Sequence, residues 1–61
     1  MNESQIKDKV FYEFKKDVNC EINDIEIIDN CVYIYSICGV WGYKLTQTGK
    51  IKKHSLRKIS I

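Results

Sequence analysis

The stretch CVYIYSICGVWGY, Cys31 to Tyr43, makes up all but the first residue of the longest run in the chain without a charged side chain. It decides how the rest is read. β-Branched and aromatic residues at this density favour a strand, and no polar stripe at helical spacing runs through it. Alternation places Val32, Ile34, Ser36, Cys38 and Val40 on one face, and Cys31, Tyr33, Tyr35, Ile37 and Trp41 on the other. One face is small and aliphatic, the other aromatic. Both are largely apolar, which predicts a central strand or a strand whose second face meets a partner.

Immediately upstream, Asp29-Asn30 is a dipeptide that tolerates positive φ and suits a two-residue hairpin turn. A hairpin registered on it sets Ile28 against Cys31, Ile27 against Val32, Glu26 against Tyr33, Ile25 against Ile34 and Asp24 against Tyr35. Ile25, Ile27, Val32 and Ile34 then form an aliphatic face. Asp24, Glu26, Tyr33 and Tyr35 form a mixed one. Further upstream, Ile6, Val10, Phe14 and Val18 recur every fourth residue, with Phe11 beside them, so residues 4–18 are predicted as an amphipathic helix. Asn2 or Ser4 is its candidate cap, Lys15 and Lys16 suit its C-terminal end, and Tyr12 falls off the apolar stripe as a solvated aromatic. Asn19 to Glu21 breaks the helical period.

Downstream, Gly39-Val40-Trp41-Gly42 interrupts the alternation, and two glycines three apart in a strand run mark a bulge or bend. The same G-x-x-G spacing occurs in the KH nucleic-acid clamp, but there it lies between two helices, a context missing here. Gln47-Thr48-Gly49 reads as a three-residue hairpin loop with glycine in the left-handed position, setting Leu45 against Ile51 and Lys44 against Lys52. Strands are therefore expected at about 21–29, 31–39, 41–46 and 50–54, with 56–60 as a short fifth. The expected fold is a single α+β domain: an N-terminal amphipathic helix packed on a four- to five-stranded antiparallel meander sheet. A small bent SH3-like barrel with an N-terminal helix is the alternative. One helix covers one face of a sheet. The aromatic face must close on itself, dimerise or bind something else.

At 61 residues the chain supports one small core, and domains of this size usually draw stability from disulfides, a metal or self-association. Three cysteines, Cys20, Cys31 and Cys38, leave at least one unpaired, and Cys31 and Cys38 have opposite parity along an unbroken strand. All three are expected as reduced thiols of a cytoplasmic protein. No run reaches the roughly 20 apolar residues of a membrane helix, the first fifteen residues lack the apolar centre of a signal peptide, and the sequon at Asn2-Glu3-Ser4 is accordingly set aside. Heavy use of Ile, Lys and Asn is what AT-rich codons produce, suggesting a phage or mobile element of a low-GC bacterium.

Charge is divided along the chain. Residues 1–30 carry four lysines against eight carboxylates; residues 31–61 carry five lysines, Arg57 and no acid. Such asymmetry flags an acidic partner or nucleic acid for the basic half. An enzyme is disfavoured: His54 is the single histidine and no carboxylate follows Asp29. A Cys38–His54 nucleophile pair and a zinc site from His54 and the cysteines lack the spacing such sites use. No cofactor, metal or small-molecule substrate is expected.

Tyr33, Tyr35, Trp41 and Tyr43, together with Lys44, Lys50, Lys52, Lys53, Arg57 and Lys58, form the candidate contact set. Aromatic anchors beside cations suit a protein interface, and also suit single-stranded nucleic acid, where phosphates and base faces are both met. The competing reading is that the rings are core and the lysines keep edge strands from aggregating. The expectation is a small non-enzymatic binding protein, an inhibitor or adaptor, that contacts a protein partner or its own copy through a basic, aromatic C-terminal surface. A small nucleic-acid-binding domain is the alternative.

Overall fold

The computed structural model describes residues 2–52 and 54–60. Helix α1 spans Glu3–Asp17, followed by strands β1 (Ile22–Ile28), β2 (Cys31–Ser36), β3 (Gly39–Lys44) and β4 (Arg57–Ser60). The strands form one antiparallel sheet in the order β1-β2-β3-β4, an open meander with α1 on one face. The α+β expectation holds. The barrel alternative does not, because β1 and β4 stay at opposite edges and the sheet never closes.

Of the two cap candidates the fold uses Asn2. Its side chain accepts from the Gln5 N–H at 2.9 Å while the Gln5 side chain accepts from the Asn2 N–H at 3.2 Å, a reciprocal capping box. At the other end Asn19 takes φ 57, the left-handed conformation that ends many helices and that asparagine tolerates. The apolar stripe behaves as its spacing demands: Ile6, Val10 and Phe14 are buried against Val32, Ile34, Tyr43 and Leu45. Val18, Ile25, Ile27 and Trp41 pack around this cluster.

The β1–β2 hairpin turns at Asp29-Asn30, with Asp29 at φ 54, and its register is the expected one from Ile28↔Cys31 through Asp24↔Tyr35. The loop after β3 also follows the sequence. Gly49 has φ 84, Leu45 bridges Ile51, and the Lys52 N–H donates to the Lys44 carbonyl at 2.9 Å. Among the described residues of 50–54, only that bridge forms, and no strand is seen there. The closing strand is β4.

The departure from expectation lies inside the uncharged run. It does not continue as one strand to residue 39 and bend across Gly39–Gly42. It reverses at Ile37-Cys38, so that Ser36 pairs with Gly39 and β3 returns beside β2. Gly39 sits at φ 120, a conformation that L side chains rarely adopt. Ser36 supplies local support: its hydroxyl donates to the Gly39 carbonyl at 2.8 Å and accepts from the Cys38 N–H at 3.2 Å. The tip is also tied to a distant segment. The Ile37 N–H donates to the Glu21 carbonyl at 3.2 Å, and Cys38 forms a disulfide with Cys20 across 18 residues. The reading of three reduced thiols is thereby corrected. Cys31 alone is free. That reading failed because it compared only cysteines within the run, whereas the bonding partner lies just after the helix.

Candidate functional site

A reversal at Ile37-Cys38 changes which side of the sheet each later residue takes. Paired residues share a face, so Ile34↔Trp41 and Val32↔Tyr43 place both rings of β3 on the helix side. Trp41 and Tyr43 therefore do not join Tyr33 and Tyr35, as the unbroken strand predicted. Tyr43 is 2% exposed, and its hydroxyl donates to Asp17 Oδ2 at 3.3 Å, linking β3 to the last turn of α1. Burial first, and then the negative charge of Asp17, pushes the Tyr43 hydroxyl well above the ordinary tyrosine range. Trp41 packs edge-on against Phe14, with ring centroids 5.8 Å apart. Lys58, paired with Trp41 across β3 and β4, lies over the indole at 5.6 Å, and the buried indole N–H finds no acceptor among the described residues. Trp41, Tyr43 and Lys58 serve the core and its margin.

The opposite face of the sheet is turned away from α1. Following the pairings across the strands, its middle row runs Glu26, Tyr33, Gly42, Arg57. The row on one side runs Asp24, Tyr35, Val40, and the row on the other runs Ile28, Cys31, Lys44. Ile59 completes the surface by lying over Gly42, where even a Cβ would come within 2.8 Å of its Cδ1. The small residue at position 42 thus makes room for a side chain from the edge strand. The centre is apolar and aromatic: Tyr33 and Val40 half-buried, Tyr35 36% and Ile59 45% exposed.

Charge on this face is sorted by edge. Asp24 and Glu26 stand on β1; Lys44 and Arg57 stand on β3 and β4. The ion pairs among the described residues, Lys7–Glu3 and Lys16–Glu13, both belong to α1, so none of these four charges is ion-paired with another described residue. Glu26 does accept a hydrogen bond from the Tyr35 hydroxyl at 2.9 Å, which raises the Tyr35 pKa, first through that bond and then through burial and the nearby carboxylates.

The remaining candidate cations fall elsewhere. Lys50 and Lys52 are exposed on the loop after β3, and Lys53 lies outside the described residues. Cys38 is held in its disulfide and has no thiolate to offer His54, which is exposed in a turn. Among the described residues no three His, Cys, Asp or Glu side chains converge as metal ligands. No helix is long and apolar enough to cross a membrane.

Compared with protein-family models, curated proteins and solved structures, the chain finds no significant match.

Of the ten candidate contact residues, then, the fold gathers Tyr33, Tyr35, Lys44 and Arg57 on one open surface. It adds Val40, Ile59, Asp24 and Glu26, which the search for cations and rings passed over. Their signal was present in part. The β1–β2 register already set Glu26 beside Tyr33 and Asp24 beside Tyr35, and alternation in the tail put Arg57 and Ile59 on one side.

Proposed function

We propose that the chain is a non-enzymatic binding module that docks on a protein surface through the sheet face turned away from α1. One observation carries this reading: Tyr33, Tyr35, Val40 and Ile59 lie together at the centre of that face, with ionised side chains at its rim. An apolar, tyrosine-bearing centre inside a polar margin is the usual anatomy of a protein interface. A nucleic acid is less well served. Phosphate affinity comes from protein cations that displace the counterions condensed on the nucleic acid, yet the tyrosines here stand beside Asp24 and Glu26, and the Tyr35 hydroxyl is already given to a carboxylate. Disulfides persist in oxidising compartments, so the Cys20–Cys38 bond weighs against the reducing cytoplasm as the place of action.

Photo-crosslinking in the cells that express the chain tests this reading. A benzophenone amino acid replaces Tyr35 in one variant and Tyr12, exposed on the outer surface of α1, in another. Polypeptide adducts from position 35 and none from position 12 are expected. Nucleic-acid adducts from position 35, or equal yields from both positions, would reject the proposal.

A further inference from the structure

The occupant of this face is specified by how its charges are arranged. Deepening the binding-module reading, and resting on it, we infer that the face docks on the same face of a second copy of the chain, about a two-fold axis that runs parallel to the strands between β2 and β3. The middle row, Glu26, Tyr33, Gly42 with Ile59 over it, and Arg57, is acid, ring, aliphatic and base in that order. Rotation about this axis keeps positions along the strands and reverses their order across the sheet. Each row therefore meets its own reverse. Glu26 faces the Arg57 of the second copy, and Tyr33 faces Ile59, with the same pairs repeated on the other side of the axis, as an isologous contact requires.

The alternative two-fold, perpendicular to the strands, leaves the order unreversed. Running along the middle row, it would lay Glu26 over its own copy and Arg57 over Arg57, with Asp24 over Ile28. Like charges brought together at an interface are costly, so charge selects the first axis. Within a single chain Glu26 and Arg57 cannot meet: they stand on the two edge strands, three strand spacings or about 14 Å apart. Across stacked sheets the gap is about 10 Å, which extended glutamate and arginine side chains together bridge. Aligned sheets rotate by about 30°, and the middle row lies nearest the centre, where this rotation displaces partners least. One oxygen of Glu26 is engaged by Tyr35, leaving the other for the guanidinium.

The size of the face sets the strength. Four strands of about six residues present a footprint on the order of 400 Å² per copy, or about 800 Å² for the pair, below the roughly 1,200 Å² of stable specific interfaces and in the range of weak, transient contacts. The association is accordingly weak, with a dissociation constant on the order of 100 µM.

Sedimentation equilibrium over a concentration series, on the oxidised full-length chain, tests it. The average mass is expected to rise from one chain toward two as concentration approaches about 1 mM, given that constant. Glu26→Arg and Arg57→Glu each place like charges in contact and should each weaken self-association at least tenfold, roughly the effect of 1.4 kcal/mol. Both side chains are exposed, and circular dichroism verifies that each variant is folded. Mixing the two variants in equal amounts should restore dimers, because in the mixed pair every contact again joins opposite charges. A wild-type chain that stays monomeric at about 1 mM, single variants that associate as well as wild type, or a mixture that remains monomeric would each overturn the inference. Adducts from position 35 to a different protein, together with a monomeric wild type, would remove the second copy and leave the binding-module reading in place. Loss of polypeptide adducts altogether would remove both.

Discussion

On the face beneath α1, Val32, Ile34 and Tyr43 are sealed from water; on the reverse of the same sheet, Tyr33, Tyr35 and Ile59 are left part-exposed. Residue type does not separate the two. Tyr43 and Tyr35 each donate a hydroxyl hydrogen bond to a carboxylate, Asp17 in one case and Glu26 in the other. The difference is position along the strand, since each step of one residue moves a side chain to the other face. A tyrosine on the helix side stabilises the monomer by burying its ring. A tyrosine on the open side keeps ring surface that a partner can remove from water.

The sharpest way to break that contrast is to empty the covered side. Phe14→Ala removes a fully buried ring and its edge contact with Trp41 and should cost about 3–5 kcal/mol. Roughly 3 to 9 kcal/mol is the whole stability expected for a domain of this length, so urea denaturation should find the variant largely unfolded. Next in size is the covalent tie between the turn of the β2–β3 hairpin and the segment after α1. Reducing Cys20–Cys38, which closes an 18-residue separation, should cost about 3 kcal/mol on a chain-entropy estimate. Denaturation curves with and without reductant measure it.

Alkaline pH distinguishes the two hydroxyl–carboxylate pairs. Tyr43 ionises less readily in the folded chain than in the unfolded one, whose tyrosines titrate near 10. Below that pH both states keep the proton and this contribution to stability is intact; above it the unfolded chain releases a proton that the folded chain retains. Stability should therefore fall by about 1.4 kcal/mol for each pH unit above roughly 10. Tyrosinate absorbance should show Tyr43 silent until the protein unfolds, and Tyr43→Phe should remove this part of the pH dependence. The smallest effect is expected on the open side. Tyr35→Ala should change monomer stability by about 1 kcal/mol or less, since the ring is exposed and its bond to Glu26 is solvated. A loss there as large as that of Phe14→Ala would mean that the two faces are not energetically distinct.

Much of this arrangement was legible before any coordinates. The fourfold spacing of Ile6, Val10 and Phe14, the Asp29-Asn30 turn with its complete register, and the Gly49 loop are all short-range features, each decided by residues within a few positions of one another. The open face was half legible. Tyr33 and Tyr35 were placed correctly because their strand is anchored to that first hairpin. Trp41 and Tyr43 were misplaced because the turn between them and Tyr35 carries no local signature: Ile37, 68% exposed at its tip, is an unusual turn residue, and the Gly39–Gly42 pair drew attention two residues too late.

The amino-acid order alone determined one amphipathic helix, a registered first hairpin and a basic second half, because periodicity and turn chemistry act over a few residues. Tertiary structure decided where the uncharged run reverses, which rings are sealed beneath the helix, and that Cys20 meets Cys38. Those outcomes depend on bringing the segment after α1 against the tip of the β2–β3 hairpin, where the hydrogen bond from Ile37 to Glu21 and the Cys20–Cys38 disulfide continue the β1–β2 register past its Ile22↔Ser36 pair. A reversal in a strand exchanges its two faces from that point onward. The reversal at Ile37-Cys38 therefore set the composition of the surface left open.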